Sequence, residues 1–352
     1  MASRSLPNVV DFDIDSLRAG FAKLGVERWR ADQVIDWIYK KGVYDWGRMT
    51  NLPKGLRDKL AAHYRIDLAD IRLESASRED GSAKLLLGLG DGELVETVYI
   101  PKAARRTVCV STQVGCKFRC AFCASGQAGF FRNLGPAEIV SQVLRIRDLT
   151  PEKRLTNVVF MGIGEPLDNF DNLLKAIRAL NHPELVGLGA RRLTISTCGV
   201  VPKIKLLAQQ GLQIELSISL HGANDAVRSK LMPVNRRWPV AELLEAAREY
   251  VQKTKRHITF EYILAEGLNA SLEDAKELAS VLKSIPCKIN LIPLNPIPEF
   301  PYKRPTPAAI AAFSKFLNQK GIRTTVRFSS GNDINAACGQ LRSVEMRKVN
   351  GG

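Results

Sequence analysis

Apolar residues recur with helical spacing over 15–63. Leu17, Phe21 and Leu24 fall on one face, and Val34, Ile35, Trp37 and Ile38 on another, with basic residues between them. Asn51-Leu52-Pro53 interrupts the run, and a further short helix is expected over 54–63. The period then changes. Lys84-Leu-Leu-Leu-Gly-Leu and Leu94-Val-Glu-Thr-Val-Tyr-Ile are strand-like runs around Gly90-Asp91-Gly92, which predicts a β-hairpin. From about 106 onward strand-like runs at 107–111, 157–162, 193–197, 213–220, 257–264, 288–293 and 324–328 alternate with helical ones. The helical runs lie at 136–148, 171–180, 202–210, 240–253, 271–285 and 307–319. Ser271 with Asp274, and Thr306 before Pro307, are helix-start signatures.

Repeated strand–helix units imply a parallel sheet with helices outside. The fold class expected is therefore α/β: a partial β/α barrel with a small N-terminal helical domain and a connecting β-hairpin. The boundaries expected are 1–75 for the helical domain, 76–101 for the hairpin, 102–345 for the barrel and 346–352 for a tail. In such a barrel the chemistry collects at the C-terminal ends of the strands.

Charge narrows the partners. The 352 residues carry 51 Lys plus Arg against 36 Asp plus Glu, a formal net charge of +15. Such a field draws polyanions, nucleic acid first and anionic membrane second, or belongs to a basic protein with no polyanion ligand. Arg28, Arg30, Lys40, Lys41, Arg48, Lys54, Arg57 and Lys59 make the helical domain a candidate RNA-docking surface, or a merely solvated one. Arg105-Arg106, Arg191-Arg192, Arg236-Arg237, 253–256 and Lys303-Arg304 are further basic clusters. The opening residues lack a long apolar stretch and carry Asp11, Asp13 and Asp15. No run of about 18 apolar residues occurs, so neither a signal peptide nor a membrane span is expected, and the reading is cytoplasmic.

Cysteine usage points to metal. Cys109, Cys116, Cys120, Cys123, Cys198, Cys287 and Cys338 are an odd number, which argues against a disulfide framework. Cys116-Lys-Phe-Arg-Cys120-Ala-Phe-Cys123 places three thiols on one short loop after the first barrel strand. That set suits three irons of a [4Fe-4S] cluster, with the fourth iron left for an outside ligand. A structural zinc site would want a fourth nearby Cys or His; the four histidines are His63, His182, His221 and His257.

The C-x₃-C-x₂-C loop resembles the signature of the radical S-adenosylmethionine superfamily, whose open iron chelates the amino and carboxylate groups of S-adenosylmethionine. Met161-Gly-Ile-Gly-Glu-Pro166 resembles the superfamily's second-strand element, which implies that Gly164 and Glu165 hold the methionine amino group. Glu96-Thr-Val-Tyr-Ile-Pro101, Cys109-Val-Ser-Thr-Gln-Val-Gly-Cys116, Ser217-Ile-Ser-Leu-His-Gly222, Asn290-Leu-Ile-Pro-Leu-Asn-Pro296 and Ala336-Ala-Cys-Gly-Gln-Leu341 narrow the likeness. Over nearly the whole chain they resemble the dual-specificity RNA (adenine-carbon-2) methyltransferases. The related carbon-8 enzyme of antibiotic resistance shares most of them.

That resemblance implies a chemistry. Carbon 2 of adenine is electron-poor and cannot simply attack a methyl sulfonium. Cys338 would take a methyl group from one S-adenosylmethionine, and a second would yield a 5′-deoxyadenosyl radical, so two are used per turnover. The radical would remove hydrogen from the S-methyl group, and the methylene radical would add to the base. Glu96 would remove the ring proton, and Cys109 would attack the Cys338 sulfur to free the product with a transient disulfide. Ser196, Ser219, His221 and Asn295 resemble cofactor-binding positions. The partners implied are 23S rRNA in its peptidyl-transferase region, tRNA at the adenosine 3′ of the anticodon, and a flavodoxin-type electron donor, with the enzyme a monomer. Read as residues alone, Cys109 also suits a buried strand, Glu96 an exposed edge and His221 a structural role. Cys198 and Cys287 read as structural, and a hydroxyl residue is more usual at the first. Other readings are the same chemistry at carbon 8, a radical enzyme on a non-RNA substrate, and a non-enzymatic RNA-binding metalloprotein.

Overall fold

The computed structural model describes residues 6–127, 129–150, 154–295, 300–337 and 339–341. The expected tail and the position of Cys338 lie outside the described residues.

The N-terminal region is helical, as its period predicts. Helix α1 (Ile14–Lys23) buries Ile14, Leu17 and Phe21, and its first turn is capped by Asp13, which accepts the Ser16 N–H at 2.8 Å. Helix α2 (Arg28–Ile35) runs into a π-helical turn at Asp36–Lys40 that buries Ile38 and Tyr39. Helix α3 (Lys54–Ala61) starts just after Pro53.

A meander follows: β1 (Asp70–Ala76), β2 (Ala83–Gly88), β3 (Leu94–Lys102) and β4 (Arg105–Cys109), each antiparallel to the one before. The hairpin was expected and β1 was not. All but one of β1's residues are exposed, so it leaves no hydrophobic trace and owes its conformation to pairing with β2. It spans Asp70–Ala76, so strand structure already begins inside the region expected to be helical. A short ribbon, β5 (Gln113–Gly115), the single turn α4 (Ala124–Gln127) and β6 (Phe130–Asn133), brackets the three-cysteine loop.

Alternation then sets in. Helix α5 (Pro136–Leu149) leads to β7 (Asn157–Phe160), α6 (Phe170–Asn181), β8 (Leu193–Thr197) and α7 (Val201–Leu207). After β9 (Glu215–Ser219) come α8 (Asp225–Leu231), α9 (Val240–Thr254), β10 (Ile258–Leu264), α10 (Leu272–Leu282), β11 (Cys287–Pro293), α11 (Pro307–Gln319) and β12 (Thr324–Val326). Strands β4, β7, β8, β9, β10, β11 and β12 pair in parallel in that order, so one sheet of ten strands runs from β1 to β12. Both expected helix starts hold. Ser271 and Asp274 exchange hydrogen bonds across the first turn of α10, and Thr306 accepts the Ala309 N–H.

The two faces of the parallel sheet differ. Val158, Phe160, Ile195, Leu216, Ile218, Phe260 and Leu291 are buried in the large apolar core. The alternate positions are polar: Thr194, Ser217, Thr259, Glu261, Lys288 and Asn290 line one cavity together with Ile100 of β3 and Thr325 of β12. Side chains from strands at both sides of the sheet meet around a single interior, so the sheet curls into a barrel wall. Among the described residues β1 and β12 do not pair, and the barrel is partial.

Candidate active site

The cysteine loop is fixed at both ends. At its entry the Cys116 N–H donates to the Gly129 carbonyl at 2.8 Å, and Gly115 (φ +75°) could carry no Cβ, which would stand 1.8 Å from that oxygen. In its middle the Ala121 N–H donates to the Leu231 carbonyl of α8 at 2.8 Å. At its exit the Ala124 N–H donates to the Gly339 carbonyl at 2.7 Å.

Cys116, Cys120 and Cys123 line one cavity at the C-terminal ends of the strands. Burial pushes the Cys116 thiol up to about 12 and holds the Cys120 thiol well above its ordinary value. Buried thiolates of this kind need a metal's positive charge beside them. Among the described residues no three His, Cys, Asp or Glu side chains are set to hold a single ion. Three thiols of one loop that line a shared cavity suit a [4Fe-4S] cluster whose fourth iron is left for an outside ligand.

Glu165 faces the same cavity. Its Oε1 accepts the Leu167 N–H at 3.0 Å and its Oε2 the Cys198 N–H at 2.7 Å, while its own N–H donates to Gln113 Oε1 at 2.8 Å. Burial raises its pKa, and those backbone donors act in the opposite direction by favouring the carboxylate. The glycines before it permit this close approach. A Cβ on Gly162 would lie 2.6 Å from Ser111 Oγ, and Gly164 holds φ at +103° against Gln113.

Gly164, Ser196, Ser219, His221 and Asn295 line this cavity as well, so nine of the residues singled out in the sequence converge on it. His221 lines the cavity and is also anchored in the structure. Its Nδ1 accepts the Ile263 N–H at 3.0 Å, and burial, with the Arg228 charge, lowers its pKa to about 3. It is a neutral imidazole whose proton is on Nε2, held edge-on to Phe122 at a centroid distance of 4.7 Å. Asn295 donates to Ser329 Oγ at 2.7 Å and accepts from Arg304 Nη2 at 3.1 Å.

Glu96 and Cys109 do not line that cavity but lie together beside it. Val98 of β3 stands opposite Cys109 of β4, so Glu96, two residues along, shares their face of the sheet. The Glu96 carboxylate is buried and pairs with Lys84 Nζ at 2.9 Å. Cys109 packs in a small apolar cluster with Val98, Ile163, Ala336 and Leu341; Met161 touches that cluster and also lines the cavity. Cys338 lies outside the described residues; Ala336 and Leu341 stand on either side of it in the sequence.

Several lining residues were missed by sequence reasoning: Met161, Met232, Ile263, Ile292, Leu294, Glu261 and Arg327. The inward half of the strand alternation could have signalled Glu261, Ile263 and Ile292. Nothing local marks the others. Some of the candidate cations make contacts within the chain. Arg304 holds the Leu294 carbonyl and Asn295, Arg256 pairs with Glu215, and Lys40 donates to the Pro183 carbonyl. Arg30 and Lys41 sit over the rings of Trp29 and Trp37, each at 3.7 Å from the centroid. Among the described residues no helix is long and apolar enough to cross a membrane.

Comparison with known proteins agrees with this geometry. Residues 110–279 match the radical SAM superfamily, and residues 7–66 match the ribosomal RNA large subunit methyltransferase N-terminal domain. The probable dual-specificity RNA methyltransferase RlmN 2 of Protochlamydia amoebophila is 47% identical over 333 residues, covering 94% of this chain and 93% of that protein. The corresponding probable enzyme of Dictyoglomus thermophilum is 45% identical, covering 97% and 98%. A crystal structure of a radical SAM methyltransferase from Sphaerobacter thermophilus superposes with a TM-score of 0.92 at 44% identity, covering 96% of this chain and 99% of that one. Cluster loop, glycine-flanked carboxylate, helical N-terminal unit and full-length similarity agree, and the chain belongs to the dual-specificity RNA methyltransferase family of the radical SAM superfamily.

Proposed function

We propose that this protein adds a methyl group to carbon 2 of an adenosine in 23S rRNA and in tRNA, in the cytoplasm and as a monomer. The observation that carries the reading is the convergence of three thiols and Glu165 on one cavity, with Glu96 and Cys109 on the adjoining sheet face. Cys116, Cys120 and Cys123 would hold the [4Fe-4S] cluster. Gly164, Glu165, Ser196, Ser219, His221 and Asn295 would hold S-adenosylmethionine, two being used per turnover. When bound, the cluster would supply one-electron reduction of S-adenosylmethionine, with a flavodoxin-type protein as the electron donor.

The chain's own groups do the rest. Cys338 carries the methyl group as a thioether and, as its methylene, becomes bonded to the base. Glu96, held by Lys84, takes the ring proton, and the one electron that the adduct radical must also shed to restore the aromatic ring would pass to the oxidised cluster. The Cys109 thiolate then attacks the Cys338 sulfur; the sulfur–carbon bond breaks with its electron pair on carbon, which is protonated to methyl, and a disulfide remains for cellular thiols to reduce. The small apolar cluster that Cys109 shares with Ala336 and Leu341 supports that approach. The unit at 1–75 would dock the RNA and the 102–345 barrel would receive the unstacked base.

Digestion of 23S rRNA and tRNA after reaction, with identification of the nucleosides, tests the reading. It should give 2-methyladenosine, and Cys109→Ala should trap an RNA–protein adduct. 8-Methyladenosine would move the chemistry to the other carbon. Formation of 5′-deoxyadenosine with unmodified RNA would favour a non-RNA substrate.

A further inference from the structure

A guanidinium stands among the side chains wholly withdrawn from solvent. Arg228 of α8 is 0% exposed. Its Nη1 donates to Asn235 Oδ1 at 2.8 Å, and its Nη2 to the carbonyls of Cys198 at 2.7 Å and Ser219 at 3.4 Å. Its Nε is buried with no partner. Among the described residues it makes no ion pair; Asp225, an exposed carboxylate, is linked to it by hydrogen bonds through Asn235, whose Nδ2 donates to Asp225 Oδ1 at 2.9 Å.

Burying an uncompensated cation is costly, and folds do so where an anion faces it. The chain makes deliberate room here. A Cβ on Gly199 would stand 3.0 Å from Arg228 Nη2, and one on Gly222 would stand 2.7 Å from the Arg228 backbone nitrogen. The carbonyls that Arg228 binds belong to Cys198 and Ser219, both of which line the cavity of the three thiols. Three residues on from Arg228, Leu231 accepts the Ala121 N–H of the cysteine loop.

We propose that Arg228 is the fixed counter-charge of the iron–sulfur cluster, a positioning residue that sets the potential at which the cluster accepts its electron. The inference rests on the cluster lying at the three cysteines, as proposed above. Three thiolates leave the oxidised centre anionic and reduction adds a further negative charge. A fixed positive charge in a water-poor setting therefore stabilises the reduced member of the couple. Arg228 also holds the carbonyl of Cys198, and the N–H of that same residue donates to the Glu165 carboxylate, so one buried cation is placed to serve both the cluster and its cofactor.

The test uses reconstituted full-length enzyme. Iron and sulfide are counted first, and the midpoint potential is then measured by redox titration followed by electron paramagnetic resonance, with neither S-adenosylmethionine nor RNA present. Arg228→Gln should take up full iron and show a more negative midpoint, while Arg228→Lys, which keeps the charge, should stay near the unsubstituted value. An iron-replete Arg228→Gln enzyme with an unchanged midpoint would overturn the proposal, as would a lysine variant that falls as far as the glutamine one. Should Arg228→Gln not fold, the exposed Asp225→Asn decides by its sign: loss of the carboxylate linked to Arg228 through Asn235 should raise the midpoint, and an unchanged or lowered value overturns the idea. Failure of the unsubstituted chain to bind iron would instead sink the cluster assignment itself.

Discussion

Gly164 holds φ at +103°, and a Cβ there would stand 2.5 Å from Gln113 Cβ and 2.9 Å from its backbone nitrogen. Gln113 accepts the Glu165 N–H, so any displacement is passed to the carboxylate that faces the cavity. Gly164→Ala should cost about 1–3 kcal/mol of stability in urea denaturation. It should also weaken S-adenosylmethionine binding in calorimetry more than it alters iron content. At this scale the site was legible where its chemistry is consecutive in the chain: the three cysteines, and Glu165 behind its glycines. It was not legible where partners come from distant segments. Lys84 looks like any strand lysine until it meets Glu96, and Arg228 reads as a solvated helix cation until α8 turns it inward.

Among elements, the helical N-terminal unit is held to the barrel by polar contacts as well as packing. The largely buried Arg147 of α5 donates to the Tyr39 carbonyl and, at 3.0 Å, to the Tyr44 hydroxyl, and Tyr44 in turn donates to Asp148 at 2.7 Å. Arg147→Ala should cost about 2 kcal/mol through the loss of charge-assisted hydrogen bonds. Limited proteolysis should then cleave faster between α3 and β1. A second junction joins the β1–β2 turn to the segment before Cys338. Asp80 Oδ2 accepts the Gly331 N–H at 2.9 Å, and Asp333 Oδ2 accepts the Arg78 N–H at 3.1 Å. Burial raises the Asp80 pKa, but hydrogen bonds from Ser82, Gly331 and Ser77 outweigh it and leave it lowered to about 2. A carboxyl depressed in the folded state contributes stability above its ordinary range near 4 and loses that contribution as pH falls through 2. Asp80→Asn should therefore be less stable at neutral pH by about 1 kcal/mol or less, since the group is solvent-exposed. The gap to the unsubstituted protein should close between roughly pH 4 and 2, as followed by denaturation across that window. Neither junction could be read in advance, because each depends on residues far apart in sequence. The elements of the barrel could, because their periods of two and 3.6 are local; β8 and α11 fall at their expected bounds, whereas the seven-residue α8 and the exposed β1 carried too little pattern to be seen.

For the whole molecule, the net charge of +15 is the feature that composition alone disclosed. If RNA is held largely through its phosphates, affinity should fall steeply with salt. Binding of tRNA measured between 50 and 200 mM salt should weaken by at least about tenfold, with a linear dependence of log K on log salt. A salt-independent affinity would place recognition elsewhere.

The strand order of the large sheet has a consequence for how the protein comes into being. Each of its strands lies beside the sheet strand that precedes it in the chain, so during synthesis every new strand meets a finished neighbour and little loop entropy opposes growth. One closure cannot be made early: Gly331 must find Asp80 across 251 residues of chain. The stretch that begins at Gly331 is thus seated late, and a half-made polypeptide on the ribosome already has its three-cysteine loop while the thiol proposed to carry the methyl group has yet to emerge.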